Sequence, residues 1–253
     1  VKTGTGTLFL NSTNASYDGS IQIEAGIVKL GDNDSMGRDG GQVLVQEGTT
    51  LDLNDRAPGA KPIVVSGHGT TGQGAIIDTA GGGVGVNLRD VTLAGDTTFG
   101  AAEGMRWDLR IRNNTGPGPG LKGNGYNLFK AGPGHVSIAS QDNLPPENPN
   151  VFWSMNLGDV VVKEGQLTFA ELVNPGNPEK SIAVWAGATL SLYNLGVTNP
   201  ITRAIYATNA ALLSAGGSSD FTNVYAGPMT ISGSVDYRFE NLSMALLNGA
   251  ISG

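Results

Sequence analysis

A short pattern of residues occurs twice near the start of this chain: an alternating apolar run, a glycine, then a second alternating run. Ile21-Gln-Ile23-Glu-Ala-Gly26-Ile-Val28-Lys-Leu30 is the first copy, and Val43-Leu-Val45-Gln-Glu-Gly48-Thr-Thr-Leu51-Asp-Leu53 is the second. Their glycines stand 22 residues apart. Alternation at period two marks a strand with one buried face. Recurrence of such strands at a fixed interval in this range marks a stack of repeats. Glycine inside a run marks a bend, so Gly26 and Gly48 are expected at the corners of successive coils of about 22 residues.

The pattern returns later. Val160-Val-Val162-Lys-Glu-Gly165-Gln-Leu167-Thr-Phe169 matches Ile21–Leu30, and Ile182-Ala-Val184-Trp-Ala-Gly187-Ala-Thr-Leu190-Ser-Leu192 matches Val43–Leu53. Gly165 and Gly187 are again 22 apart, and each lies 139 positions after its counterpart. Pro62-Ile63 pairs with Pro200-Ile201, Ala75–Gly81 resembles Ala211–Gly216, and Val91–Gly95 resembles Met229–Gly233, at offsets between 135 and 139. Five segments in one order at nearly one offset predict a single elongated β-solenoid made of two related units, about 1–140 and 141–253. One coil cannot bury its apolar face alone; stacking on its neighbours does so. Coils about 4.8 Å apart predict roughly eleven rungs and a rod about 50 Å long. No segment competes as a long helix.

Two inserts break the rhythm: Asn113–Gly125, rich in glycine and proline, and Gln141–Asn150, which leads into Val151-Phe152-Trp153. Proline cannot donate to a strand ladder, so both are expected to leave the wall of the solenoid. Phe152 and Trp153 are candidate ligand or interface aromatics, either a platform for sugar or a cover for an apolar edge.

Thirty-nine glycines are roughly twice the usual share of about 7%. Hydrophobic residues, at 39%, are too many and too regular for disorder. With no cysteine, disulfides and thiolate metal sites are excluded. A net charge of −7 argues against nucleic acid and anionic membrane as main partners, since both are bound chiefly through Lys and Arg. No apolar run approaches about 18 residues, so no direct membrane insertion is expected of this segment. The chain starts at Val1 without a methionine and is read as a piece of something longer.

The stretches Lys2–Leu10 (KTGTGTLFL), Ile21–Leu53, Leu93–Thr98, Arg106–Leu109 and Gly123–Gly134 together resemble the autotransporter-associated β-strand repeat family, segments of large bacterial surface passengers. The resemblance covers most of the chain. It implies an all-β, right-handed parallel β-helix, exported and displayed outside a bacterium, and it brings no shared catalytic residues.

Parallel β-helices also house polysaccharide lyases and hydrolases, which need clustered carboxylates or a calcium site. Asp32, Asp34 and Asp39 with Arg38 open like a calcium loop, but Met36 and Val43 stand where an EF-hand needs oxygen ligands. A turn between coils is the better reading. Asp90, Asp96 and Asp108 with Arg106 and Arg110 are expected to form turns and rung-edge ion pairs. His68 and His135 are both flanked by glycine and form no readable triad or metal spacing. No catalytic residue, cofactor or metal is therefore assigned.

The leading expectation is an extracellular structural rod, stalk or fibre subunit, with an adhesin or carbohydrate-binding module second. Apolar, strand-like ends leave unpaired backbone edges. Leu8 and Leu10 at one end, and Leu246, Leu247 and Ile251 at the other, are the candidate end-to-end interface. A head-to-tail contact of that kind makes open filaments. The expected partners are the chain itself and, second, a surface or matrix polysaccharide.

Overall fold

The computed structural model describes residues 1–37, 40–58, 61–80, 86–110, 120–139, 153–218, 221–239 and 244–253. Twenty-six strands and no helix occur among them, and every strand pair is parallel. The strands fall into three ladders that run side by side.

One ladder is unbroken. It passes through Thr7–Leu10, Ile27–Leu30, Thr50–Asp52, Ile76–Asp78, Val91–Ala101, Leu128–Ala131, Val160–Val162, Ser181–Val184, Ala204–Thr208, Met229–Ser232 and Ile251–Ser252. These are eleven strands, which at about 4.8 Å per rung span about 50 Å. We call this the second ladder, because the chain reaches it from a first containing Ile21–Ile23, Val43–Val45 and Ile63–Gly67. The first continues through Leu121–Lys122, then Trp153–Ser154 with Val173–Asn174, and Thr222–Tyr225 with Met244–Leu247. A third holds Val86–Leu88, Arg106–Arg110, His135–Ala139, Gln166–Ala170, Thr189–Tyr193, Ala211–Gly216 and Val235–Phe239.

Alternation sends every second side chain inward, and pairing stacks like on like. Leu8, Val28, Leu51, Ile76 and Phe99 form one inward column. Trp107, Val136, Leu167, Leu190 and Leu213 form another. Except for Leu8 all of these are buried, and each such side chain is worth about 1.5–3 kcal/mol against exposure. The first of these columns then takes in a charged residue: it runs from Phe99 to Lys130 and on to Val162.

The expected corners are present. Gly26, Gly48, Gly165 and Gly187 have φ of 73°, 75°, 63° and 74°, a region that other residues avoid. The step between paired residues is 22 from Ile21 to Val43 and from Val160 to Ile182. It is longer midway, 29 from Arg106 to His135 and 31 from His135 to Gln166. Those two steps enclose residues 111–119 and 140–152, outside the described residues, which take in all of Gln141–Asn150. The Asn113–Gly125 insert does not leave the wall along its whole length, because Leu121 and Lys122 pair with Val91 and Thr92 and Leu121 is buried in the core.

The two copies of the pattern sit on different sides of the stack. Ile21–Ile23 and Ile27–Leu30 join the first ladder to the second, whereas Val160–Val162 and Gln166–Ala170 join the second to the third. The corner's local chemistry is kept while its place around the axis moves on by one side.

Candidate functional site

Lys2 and Lys130 occupy corresponding corners. Each begins a Lys-x-Gly-x-Gly run, Lys2-Thr-Gly4-Thr-Gly6 and Lys130-Ala-Gly132-Pro-Gly134. Lys2 Nζ donates to the carbonyls of Thr3 (3.2 Å), Gly4 (2.6 Å) and, one rung on, Ala25 (2.8 Å). Lys130 Nζ donates to Ala131 (2.9 Å), Gly132 (2.7 Å) and, one rung on, Glu164 (3.1 Å). The residue after Ala25 is Gly26 and the residue after Glu164 is Gly165. A Cβ on either would run into the carbonyls of the corner below, Gly4 and Gly6 for one, Gly132 and Gly134 for the other. Ile27 N–H donates to Gly6 and Gln166 N–H to Gly134, at 3.2 and 3.1 Å. Each lysine therefore ties two successive rungs through a corner where backbone meets backbone.

The two clamps differ in solvent. Lys2 is partly exposed, and Lys130 is fully buried. Burial pushes Lys130 down to about 7, and Glu164 opposes the shift. Arg203, also fully buried, clamps a corner between the first and second ladders. Its guanidinium donates to Leu157 (2.6 Å), Gly158 (2.5 Å) and Pro175 (2.7 Å), so it reaches back across two rungs. Burial lowers Arg203 to about 10, opposed by Asp159. Sequence reasoning missed all three clamps. The repeated Lys-x-Gly-x-Gly run was the available signal for two of them.

The acidic candidates serve as locks. Asp32 accepts the Asp34 N–H at 2.9 Å, closing a turn, while Arg38 and Asp39 lie outside the described residues. Asp90 pairs with Lys122 at 2.9 Å. Asp96 accepts the backbone and side-chain N–H groups of Asn127. Asp108 takes the Arg106 guanidinium at two points, 2.8 and 3.1 Å, with Arg110 at 3.9 Å. His68 Nδ1 meets the Thr98 hydroxyl and His135 Nε2 that of Thr168. Burial, then Arg106 and Lys130, pushes His135 down to about 3, so its ring is neutral. Among the described residues no group of three His, Cys, Asp or Glu side chains could hold a metal ion.

The candidate interface residues lie at opposite ends of the stack. Leu8 (41% exposed) and Leu10 belong to the first strand of the second ladder, beside a cavity of about 290 Å³ also lined by Val1, Tyr17, Ile21 and Val28. Ile251 (53%) belongs to the last strand of that ladder, and Leu246 (37%) and Leu247 to the last of the first. Leu10 and Leu247 turn partly onto the core. Trp153 is placed by its backbone, opposite Val173; Phe152 lies outside the described residues.

The residues of the first clamp fall within a known repeat. Residues 1–30 match the passenger-associated-transport-repeat. The matched stretch holds Lys2, Gly4, Gly6 and Gly26, the parts that tie one rung to the next. It agrees with the resemblance drawn from the residues and points to an autotransporter passenger-type repeat domain. No curated protein and no solved structure matches the chain.

Proposed function

We propose that this chain is a rod-forming segment of an autotransporter-type passenger, a right-handed parallel β-helix of two related units displayed outside a bacterial cell. The observation that carries the reading is the uninterrupted eleven-strand parallel ladder over an apolar interior. The passenger-associated-transport-repeat at residues 1–30 supports the secreted or cell-surface location. The polar residues singled out for chemistry are engaged in turns, corners and ion pairs, which supports a structural role. We further propose head-to-tail contact between copies through Leu8 and Leu10 at one end and Leu246, Leu247 and Ile251 at the other. Parallel edges with exposed apolar side chains are templates for another strand.

Small-angle scattering and electron microscopy over a concentration series test both statements. The expected result is a rod about 50 Å long that lengthens with concentration through end contacts. A compact, globular scattering profile would overturn the rod. A rod of constant length at millimolar protein would overturn the end contact alone.

A further inference from the structure

The outward side of the second ladder carries an aromatic shelf midway along the stack. Strand pairing puts Thr98, Phe129, Val161, Ala183 and Tyr206 in one outward column over five successive strands. Val161 and Ala183 are small and half-buried, so the surface between Phe129 and Tyr206 is low. Three rung spacings, about 14 Å, separate the two aromatic ends. Lys163 and Trp185 follow directly on Val160–Val162 and Ser181–Val184 and flank the shelf on its corner side.

Phe129, Lys163, Trp185 and His68 form one cluster. Lys163 Nζ lies 4.6 Å from the centre of the Phe129 ring and 5.7 Å from that of Trp185. His68 packs edge-on against Phe129 at 5.3 Å. Among the described residues Lys163 has no oxygen acceptor, so its N–H groups remain available. Trp185 is 48% and Tyr206 49% exposed, a large apolar area to leave in water. Around the corner lies a polar groove of about 460 Å³, lined by Arg106, His135, Gln166 and Thr189.

We propose that the shelf binds a neutral linear polysaccharide lying along the stack, its sugar rings resting on Trp185 and Tyr206 and its hydroxyls taking N–H donors from Lys163. Flat, exposed rings suit the C–H face of a pyranose. Successive sugars and successive strands advance by similar lengths, so a chain of sugars keeps step with the rungs. A net charge of −7, with exposed Glu164 beside Lys163, disfavours an acidic polymer.

The test titrates the whole chain with cellohexaose, xylohexaose and mannohexaose, with polygalacturonate as the acidic comparison, by calorimetry and tryptophan fluorescence. At least one neutral hexasaccharide is expected to bind. Trp185→Ala and Tyr206→Ala should each weaken it at least tenfold without changing the melting temperature. Tyr193→Ala, an exposed aromatic on the third ladder, should leave it unchanged. No binding by any neutral hexasaccharide at millimolar concentration, binding undiminished in Trp185→Ala, or binding of polygalacturonate alone would each overturn the proposal.

Discussion

Gly165 and Gly187 offer a matched test of what the corners do. Both have left-handed backbone, with φ of 63° and 74°. Alanine at either site pays the left-handed penalty of about 1–2 kcal/mol. They differ in the space above them. A Cβ at Gly187 meets nothing within 4 Å, whereas one at Gly165 lies 2.5 Å from the Gly132 carbonyl oxygen and collides with that of Gly134. Backbone atoms cannot swing aside as a flexible side chain can, so the two rungs must separate. Overpacking of this sort adds about 1–3 kcal/mol. Gly187→Ala should therefore cost about 1–2 kcal/mol and Gly165→Ala about 2–5 kcal/mol. At roughly 2–4 °C per kcal/mol for a chain of this size, thermal melting separates the two variants clearly. Gly26→Ala should rank with Gly165→Ala, and Gly48→Ala with Gly187→Ala, because their surroundings repeat. Equal losses within about 0.5 kcal/mol, or the reverse order, would refute the account of the corner as a backbone-to-backbone contact.

Two buried charges give pH-dependent expectations. Burial raises Asp78 from 3.8 to about 6, helped by Asp52 and Asp55 and opposed by the N–H groups of Asp55 and Ala80. The stability it contributes is full below 3.8 and is lost as pH rises through about 6. Asp78→Asn keeps an oxygen for both N–H groups, so its unfolding free energy in urea titrations should gain on the wild type between pH 4 and 7, by up to about 3 kcal/mol. A difference that stays flat across that range would refute this. Lys130 is lowered from 10.5 to about 7, so the unfolded chain holds the extra proton between those values and the stability Lys130 contributes rises with pH across them. Lys130→Met should accordingly be more damaging at pH 10 than at pH 6.5, where the cost of burying the ammonium offsets its three bonds. Urea titrations at the two pH values measure this, and a loss that shrinks with rising pH would contradict it.

Much of the stack was legible because its determinants are local. Gly26, Gly48, Gly165 and Gly187 each interrupt an alternating run, and each proved to be a left-handed corner. The clamps were hidden for a physical reason. Lys130 stands in an inward column between Phe99 and Val162, where patterning expects an apolar side chain and a strand lysine is read as solvent-facing. Arg203 takes its acceptors from Leu157, Gly158 and Pro175, segments with no sequence relation to it. The aromatic shelf is spread over separate strands and comes together only once the register is known. Phe152 and Trp153 drew attention by being adjacent in the chain, a signal that can be read without the register.

Arg203 also bears on how the stack would come apart under load. The last rungs, with Phe239, Met244 and Ile251 exposed, hold no fully buried lysine or arginine among the described residues. Pulled from that end, they would unravel singly, each yielding at a low force. At Arg203 the guanidinium still grips two rungs behind it, so three must let go together. A buried cation in a corner is thus a mechanical stop, which limits how far a frayed end travels into the rod.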